Sequence, residues 1–221
     1  LIGSHTFWRS NANDQTKIEL QTDVKFNIPV NPKKAADLLE ATINGDKSDF
    51  KVLNTRPSKT LSIVFQNPKA TNETAKVKVV LKKIGKSMKE EQFTEKSSVP
   101  AVQKLELRNV ETVHNGVAGT VFIGSSQPVS NNKLKESITI EPAIAFTATA
   151  DEKGITISSE EFSPDLEYEI QVTESIIGSF GGKLKSDFTE EISFGEIAPQ
   201  LKFDNTKAEY LGAKGSRNVS I

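Results

Sequence analysis

An all-β protein built of two tandem sandwiches is the fold class this sequence predicts, and three observations predict it. Apolar residues alternate with polar ones in short runs, turn residues interrupt each run, and the second half repeats the apolar pattern of the first at an offset of 93 to 99 residues. A period of two marks strands that bury one face, because successive side chains on a strand point to opposite sides.

The alternation is clearest in the second half. Ile138 and Ile140 alternate with Ser137 and Thr139, and Ile144 and Phe146 follow Pro142. Ile155 and Ile157 alternate with Thr156 and Ser158, and Tyr168, Ile170 and Val172 with Glu167, Glu169 and Gln171. "EP", "DEKG" and "SPD" separate these runs and read as turns. Lys104 to Val110, Gly119 to Gly124 and Asp187 to Phe194 complete about seven strands, the number an immunoglobulin-like sandwich requires. Only Asn131 to Ser137 and Asn31 to Ala41 read as helical turns, so low helix content is expected. In "FSPDLEYEIQV", Pro164 and Leu166 precede Tyr168 at the start of a late strand, the arrangement of a tyrosine corner. The first half has Ala75 at the matching place.

The repeat sets the organisation. Pro29-Val30 matches Pro128-Val129, Leu38 and Glu40 match Leu134 and Glu136, and Phe50 matches Phe146. Leu61 and Ile63 match Ile155 and Ile157, and Val77 and Val79 match Ile170 and Val172. Phe93-Thr94-Glu95 matches Phe188-Thr189-Glu190. A repeat this long can close its own core, so each copy is expected to be a domain. The expected divisions are 1–15, an N-terminal extension or cloning remnant; 16–99, the first immunoglobulin-like sandwich; 100–198, the second; and 199–221, a stub or the start of a further domain. The border between the copies is placed at "EKSSVPAVQ", where Ser97, Ser98 and Pro100 interrupt the alternation.

Composition excludes several classes of function. With 28 basic and 29 acidic residues the net charge is −1, which offers no global field for nucleic acid or an anionic membrane. The absence of cysteine excludes disulfides, thiolate catalysis and cysteine-ligated zinc within the chain. No apolar run approaches the roughly 20 residues of a membrane helix, and the N-terminus lacks the basic start and apolar body of a signal peptide.

No catalytic, cofactor-binding or metal-ligating residue emerges. His114 lies in an Asn-Gly turn and His5 near the N-terminus, and two isolated histidines make neither a ligand set nor a triad. Glu160-Glu161 and Glu190-Glu191 are adjacent pairs, which a strand sends to opposite faces, so they read as solvated edges and turns. "NGDKSD" (Asn44 to Asp49) is rich in oxygen ligands but lacks the closing glutamate of a calcium loop and reads as an Asn-Gly turn. "GSFGGKLKSD", with Gly178, Gly181 and Gly182, has no phosphate-loop spacing and reads as a flexible connection. Asn72 and Asn218 open glycosylation sequons that matter only in a eukaryotic secretory setting. Phe7 and Trp8 read as part of a covered strand rather than a stacking platform.

The stretch "SQPVSNNKLKESITIEPAIAFTATADEKGITISSEEFSPDLEYEIQV", followed by "GGKLKSDFTEEISFGEIAPQLKF" and "EYLGAKGSRNVSI", resembles the N-terminal region of bacterial alpha-2-macroglobulin-like proteins. In that family bacterial Ig-like domains precede the first macroglobulin domain. The resemblance runs from about Lys104 to Ile221, and residues 16 to 96 share only the repeat pattern. It implies an exported, lipid-anchored protein of the bacterial periplasm or surface that entraps proteases cutting a bait region. Without cysteine the chain cannot hold the family's thioester, so no thioester or catalytic residue carries over. The resulting expectation is a non-enzymatic spacer or interaction arm without cofactor. Proteases are met through the full-length protein, neighbouring macroglobulin domains are partners, nucleic acid is not, and the membrane is reached only through an anchor outside this chain. The alternatives are a surface adhesin or glycan-binding array of similar modules and, last, a sandwich hydrolase, for which the sequence offers no acid and base motif.

Overall fold

The computed structural model describes residues 3–14, 17–65, 72–83 and 91–195. The expected stub at 199–221, its border at Ala198-Pro199, and Asn218 lie outside the described residues. Alternating runs form strands throughout. In chain order they are β1 (Gly3–Ser10), β2 (Ile18–Val30), helix α1 (Pro32–Leu38), β3 (Leu39–Ile43), β4 (Asp46–Lys47), β5 (Phe50–Val52), β6 (Ser58–Phe65), β7 (Ala75–Lys82) and β8 (Gln92–Val99). The second half adds β9 (Leu107–His114), β10 (Gly119–Ser125), a 3₁₀ turn (Lys135–Ser137), β11 (Ile138–Glu141), β12 (Thr147–Ala150), β13 (Gly154–Ser159), β14 (Tyr168–Val172) and β15 (Phe188–Ile192).

All strand pairings between these elements are antiparallel and make four sheets, ordered β1-β2-β6-β5, β4-β3-β7-β8, β9-β10-β13-β12 and β11-β14-β15. Taken in chain order, each half follows the A-B-E-D and C-F-G arrangement of an immunoglobulin-like sandwich, with β4 as an added edge in the first. Among the described residues the buried apolar side chains form two clusters. Trp8, Leu20, Ile63, Phe65, Val77 and Val79 belong to one, and Val121, Ile123, Ile155, Ile157, Tyr168 and Ile170 to the other. Each cluster draws on both sheets of its own half, the inner-face packing of a sandwich.

Local chemistry explains the junctions between elements. Asn31 caps α1 by accepting from the amides of Lys33 (3.1 Å) and Lys34 (3.2 Å), and Pro32 occupies the first turn, where its missing N–H costs nothing. The helix stops at Leu38 because Leu39 begins β3, so the helical turn expected through Ala41 is shorter. Asn44-Gly45 forms the two-residue turn between β3 and β4 with φ of 52° and 94°, as the Asn-Gly dipeptide predicts.

Tyr168 makes the corner expected of it. Its hydroxyl accepts from the Ser163 amide (2.8 Å) and donates to the Glu161 carbonyl (3.3 Å), closing the turn before β14. Tyr168→Phe is expected to leave both backbone groups without that partner and to lower stability by about 1.5 kcal/mol, read from the denaturation midpoint. The corresponding corner of the first half falls on residues 66–71, outside the described residues.

Two expectations are corrected. Residues 3–10, assigned from sequence to an extension or remnant, form β1, which pairs with β2 from Gly3↔Lys25 to Ser10↔Ile18 and buries Phe7 and Trp8 completely. β1 stands to β2 as β9 stands to β10, so the N-terminal strand is the first-half counterpart of β9. Sequence reading takes Phe7 and Trp8 for a covered strand but leaves that strand outside the first sandwich, because its pattern is not alternating: His5, Thr6, Phe7 and Trp8 are all buried, two faces being covered at once. The last match of the repeat also moves. Val79 pairs with Glu95 and Val172 with Phe188, so Glu95, not Phe93, is the counterpart of Phe188. The two-residue slip preserves which face is buried, and alternation alone cannot detect it.

Candidate functional site: the polar seam between the two halves

The most densely organised chemistry lies where β1 and β2 meet β9 and the turn before β13. A bulge in β9 starts it. Val110 pairs with Ile123 and Arg108 with Gly124, leaving Asn109 unpaired with φ of 56°. The extra residue re-aims the side chains on either side, a regular use of bulges.

Arg108 thereby reaches into the first half, donating from Nη1 to the Ser98 carbonyl and from Nη2 to the Thr6 carbonyl. One guanidinium thus ties β9 to β8 and β1, each from a different sheet of the first half. Burial lowers its hold on its proton, opposed by the Glu106 carboxylate, and Nε is a buried donor without a partner among the described residues. Beside it, His5 Nδ1 accepts from Asn109 Nδ2 (2.9 Å), and Nε2 donates to the Lys153 carbonyl (3.2 Å). These partners fit the neutral ring protonated on Nε2, because a backbone carbonyl only accepts.

Around this pair runs a chain of polar contacts that crosses the seam twice. Glu152 lies 3.6 Å from Arg9, which donates to Gln21 Oε1 (2.7 Å). Gln21 donates to Asp23 Oδ1 (2.6 Å), and Lys153 donates to Asp23 Oδ2 (2.5 Å). Lys25 bonds Glu111 nearby. A cleft of about 430 Å³ opens over the seam, lined by His5, Asp23, Lys25, Ser62, Glu111 and Lys153 among others.

Lys153 is held by a tight turn. Asp151 Oδ1 accepts from the amides of Lys153 (2.7 Å) and Gly154 (3.1 Å). A Cβ at Gly154 would sit 2.1 Å from the Ile123 carbonyl oxygen. Gly154→Ala is therefore expected to shift this turn and to lower stability by about 2 kcal/mol, measured by chemical denaturation.

The linker side of the seam is closed by Trp8 and Gln127. Trp8 donates its backbone N–H to the Ser126 carbonyl (2.8 Å) and Nε1–H to the Pro100 carbonyl (2.7 Å). Gln127, fully buried, donates to the carbonyls of Val102 (2.6 Å) and Lys104 (3.2 Å) and accepts from the amides of Phe180 (3.1 Å) and Gly182 (3.4 Å). This corrects the reading of "GSFGGKLKSD" as a flexible connection. Gly178 and Gly182 are required by packing, since a Cβ on either would meet the Gln127 side chain at 2.3 and 2.1 Å. The loop also bonds the linker directly, Leu105 N to Lys183 O (2.9 Å) and Lys183 N to Gln103 O (3.3 Å).

The remaining sequence candidates lie apart from one another. His114 is buried at the far end of β9, donating from Nε2 to the Phe162 carbonyl (2.9 Å) and accepting at Nδ1 from the Gly116 amide (3.0 Å), with Phe194 against its ring. One nitrogen holds the turn after β9 and the other ties it to the segment that follows β13. Glu160 and Glu161 follow β13 in an exposed bend, where Glu161 accepts from the Ala145 amide (3.0 Å), and Glu190 and Glu191 are exposed on β15. Asn72 is exposed. Among the described residues no group of acidic or histidine side chains could hold a metal ion, and no helix is long and apolar enough to cross a membrane.

The seam as it stands holds surfaces together and responds to protons. Its response follows from His5, whose pKa is lowered from 6.5 to about 4, first because burial penalises the charged ring and then because Arg108 repels it. Hydrogen bonding to Lys153 and the Asp23 charge oppose the shift, and Lys25 adds to it. The unfolded chain protonates this ring near 6.5 and the folded chain only near 4. Stability is therefore full above about pH 6.5 and falls by about 3 kcal/mol as pH drops towards 4. Denaturation at several pH values should show that fall in the native sequence and a shallower one in His5→Gln.

Geometry and topology together define an all-β sandwich protein whose two halves are joined by a buried polar seam. No protein-family model matches the chain, and no curated protein matches it.

Proposed function

We propose that each half is an immunoglobulin-like domain and that the pair forms a non-catalytic arm of fixed angle. In this reading it belongs to an exported bacterial alpha-2-macroglobulin-like protease inhibitor of the periplasm or cell surface, lipid-anchored through a segment outside this chain. The observation that carries the reading is the seam. Arg108, His5, Trp8 and Gln127 spend their hydrogen bonds on carbonyls and amides of other segments, which suits a spacer that must hold an orientation. The strand order of both halves and the resemblance from about Lys104 to Ile221 support it further.

Two measurements test the proposal. Because the chain has no cysteine, Lys59→Cys with Glu190→Cys introduces one spin-label pair, and one narrow distance distribution is expected. A broad distribution would contradict a fixed angle. Incubated with a panel of proteases, the chain is expected neither to inhibit them nor to be captured by them. Covalent capture would contradict the passive role, and selective binding to glycans would move the reading to an adhesin.

A further inference from the structure

The net charge of −1 conceals a division. Residues 1–100 hold 17 basic and 11 acidic residues, a net of +6, and residues 101–221 hold 11 and 18, a net of −7. The structure concentrates part of each excess on one sheet face. In the sheet β4-β3-β7-β8, Lys47, Thr42, Lys78 and Lys96 lie in one cross-strand row, with Lys76 beside them on β7. All four lysines are exposed; Lys76, Lys78 and Lys96 have no carboxylate partner among the described residues, while Lys47 lies close enough to Glu40, itself bonded to Lys82, to favour its ionised form. Thr42, Thr74, Ser98 and three of these lysines, Lys76, Lys78 and Lys96, line a shallow concavity of about 750 Å³.

The equivalent sheet of the second half carries the opposite charge. Glu141, Glu169 and Glu191 form one cross-strand row over β11-β14-β15, all exposed and likewise without a cationic partner among the described residues. Neighbouring strands lie about 4.8 Å apart, so each row sets like charges side by side, an arrangement that destabilises a sheet. Edge protection accounts for charge on outer strands, but Lys78 and Glu169 stand on interior strands.

We propose that the basic face of one copy seats the acidic face of a second copy. Both faces are sheets with the same strand spacing, so lysines of one row can reach between glutamates of the other. A free polyanion would use the basic face alone and be repelled by the acidic one, whereas a second copy engages both. The contact joins different surfaces, so it propagates head to tail or closes a ring. It goes beyond the spacer reading and stands independently of it.

Sedimentation velocity of the whole chain tests the contact. Association is expected at about 20 mM salt and at least tenfold weaker association at about 500 mM, where the screening length falls from roughly 20 Å to about 4 Å. Lys78→Glu with Lys96→Glu, and Glu169→Lys with Glu191→Lys, should each be monomeric alone and associate when mixed, since each retains the face the other has lost. If either double variant loses its native thermal midpoint, Lys96→Gln replaces it and should weaken self-association several-fold. A chain that stays monomeric at low salt, double variants that associate like the native sequence, or variants not rescued by mixing would overturn the proposal. Binding of polyglutamate by a chain that does not self-associate would overturn it in favour of a free polyanion.

Discussion

Replacing Gln127 by alanine is expected to lower stability by about 4 kcal/mol, among the largest single effects in this chain. A glutamine amide offers two donors and two acceptor sites, and all four are engaged, with the carbonyls of Val102 and Lys104 and the amides of Phe180 and Gly182. Truncation strands the Val102 carbonyl and the Phe180 and Gly182 amides in a buried place and leaves the Lys104 carbonyl only the Ser126 hydroxyl (3.4 Å). Each unsatisfied group costs about 1–3 kcal/mol less whatever water can recover. Gln127→Glu should be comparably severe, because a carboxylate cannot donate to the two carbonyls. Hydrogen exchange provides the local readout: the Phe180 and Gly182 amides should lose protection first. An alanine variant within 1 kcal/mol of the native stability would show that the glycine loop is held by something other than this side chain.

Trp8→Ala is expected to cost a similar amount, about 4 kcal/mol, for a different reason. Its ring is completely buried in the first cluster with Val99 and Val102, so truncation leaves a cavity the surrounding strands fill only in part. Trp8→Phe separates volume from hydrogen bonding. It keeps most of the packing and loses only the bond to the Pro100 carbonyl, for an expected loss of about 1 kcal/mol. Unfolding curves of the three proteins distinguish the terms. Equal losses in the phenylalanine and alanine variants would place the whole effect in that one bond. Because β1 is the counterpart of β9, truncating residues 1–10 should be at least as damaging as Trp8→Ala, which no dispensable extension would be.

Much of the fold was legible before any coordinates. Ile155 and Ile157, or Ile170 and Val172, announce their strands because an apolar residue at every second position has one way to bury its face. Asn31-Pro32 and Asn44-Gly45 announce a helix start and a hairpin through backbone preferences confined to a few residues. Tyr168 announced its corner because the partner groups lie five and seven residues away.

The seam was not legible, and its residues show why. Arg108 sits in an alternating run whose bulge at Asn109 has no signature until β10 is beside it. Gln127 lies between two serines and a proline and meets glycines some 50 residues later. His5 looked like part of a remnant, yet its ring is held by residues more than 100 positions away. The opposed charged faces were hidden in the same way, since Lys47, Lys78 and Lys96 become a row only when β4, β3, β7 and β8 pair.

By itself, then, the order of residues determined strand type, turn position and the duplication, which depend on interactions within a few neighbours along the chain. Only the assembled structure decided that the first strand belongs to the core, which polar groups share a buried seam and where charge gathers. Those outcomes depend on distances between segments far apart in sequence, and such distances come into being only when the sheets have packed.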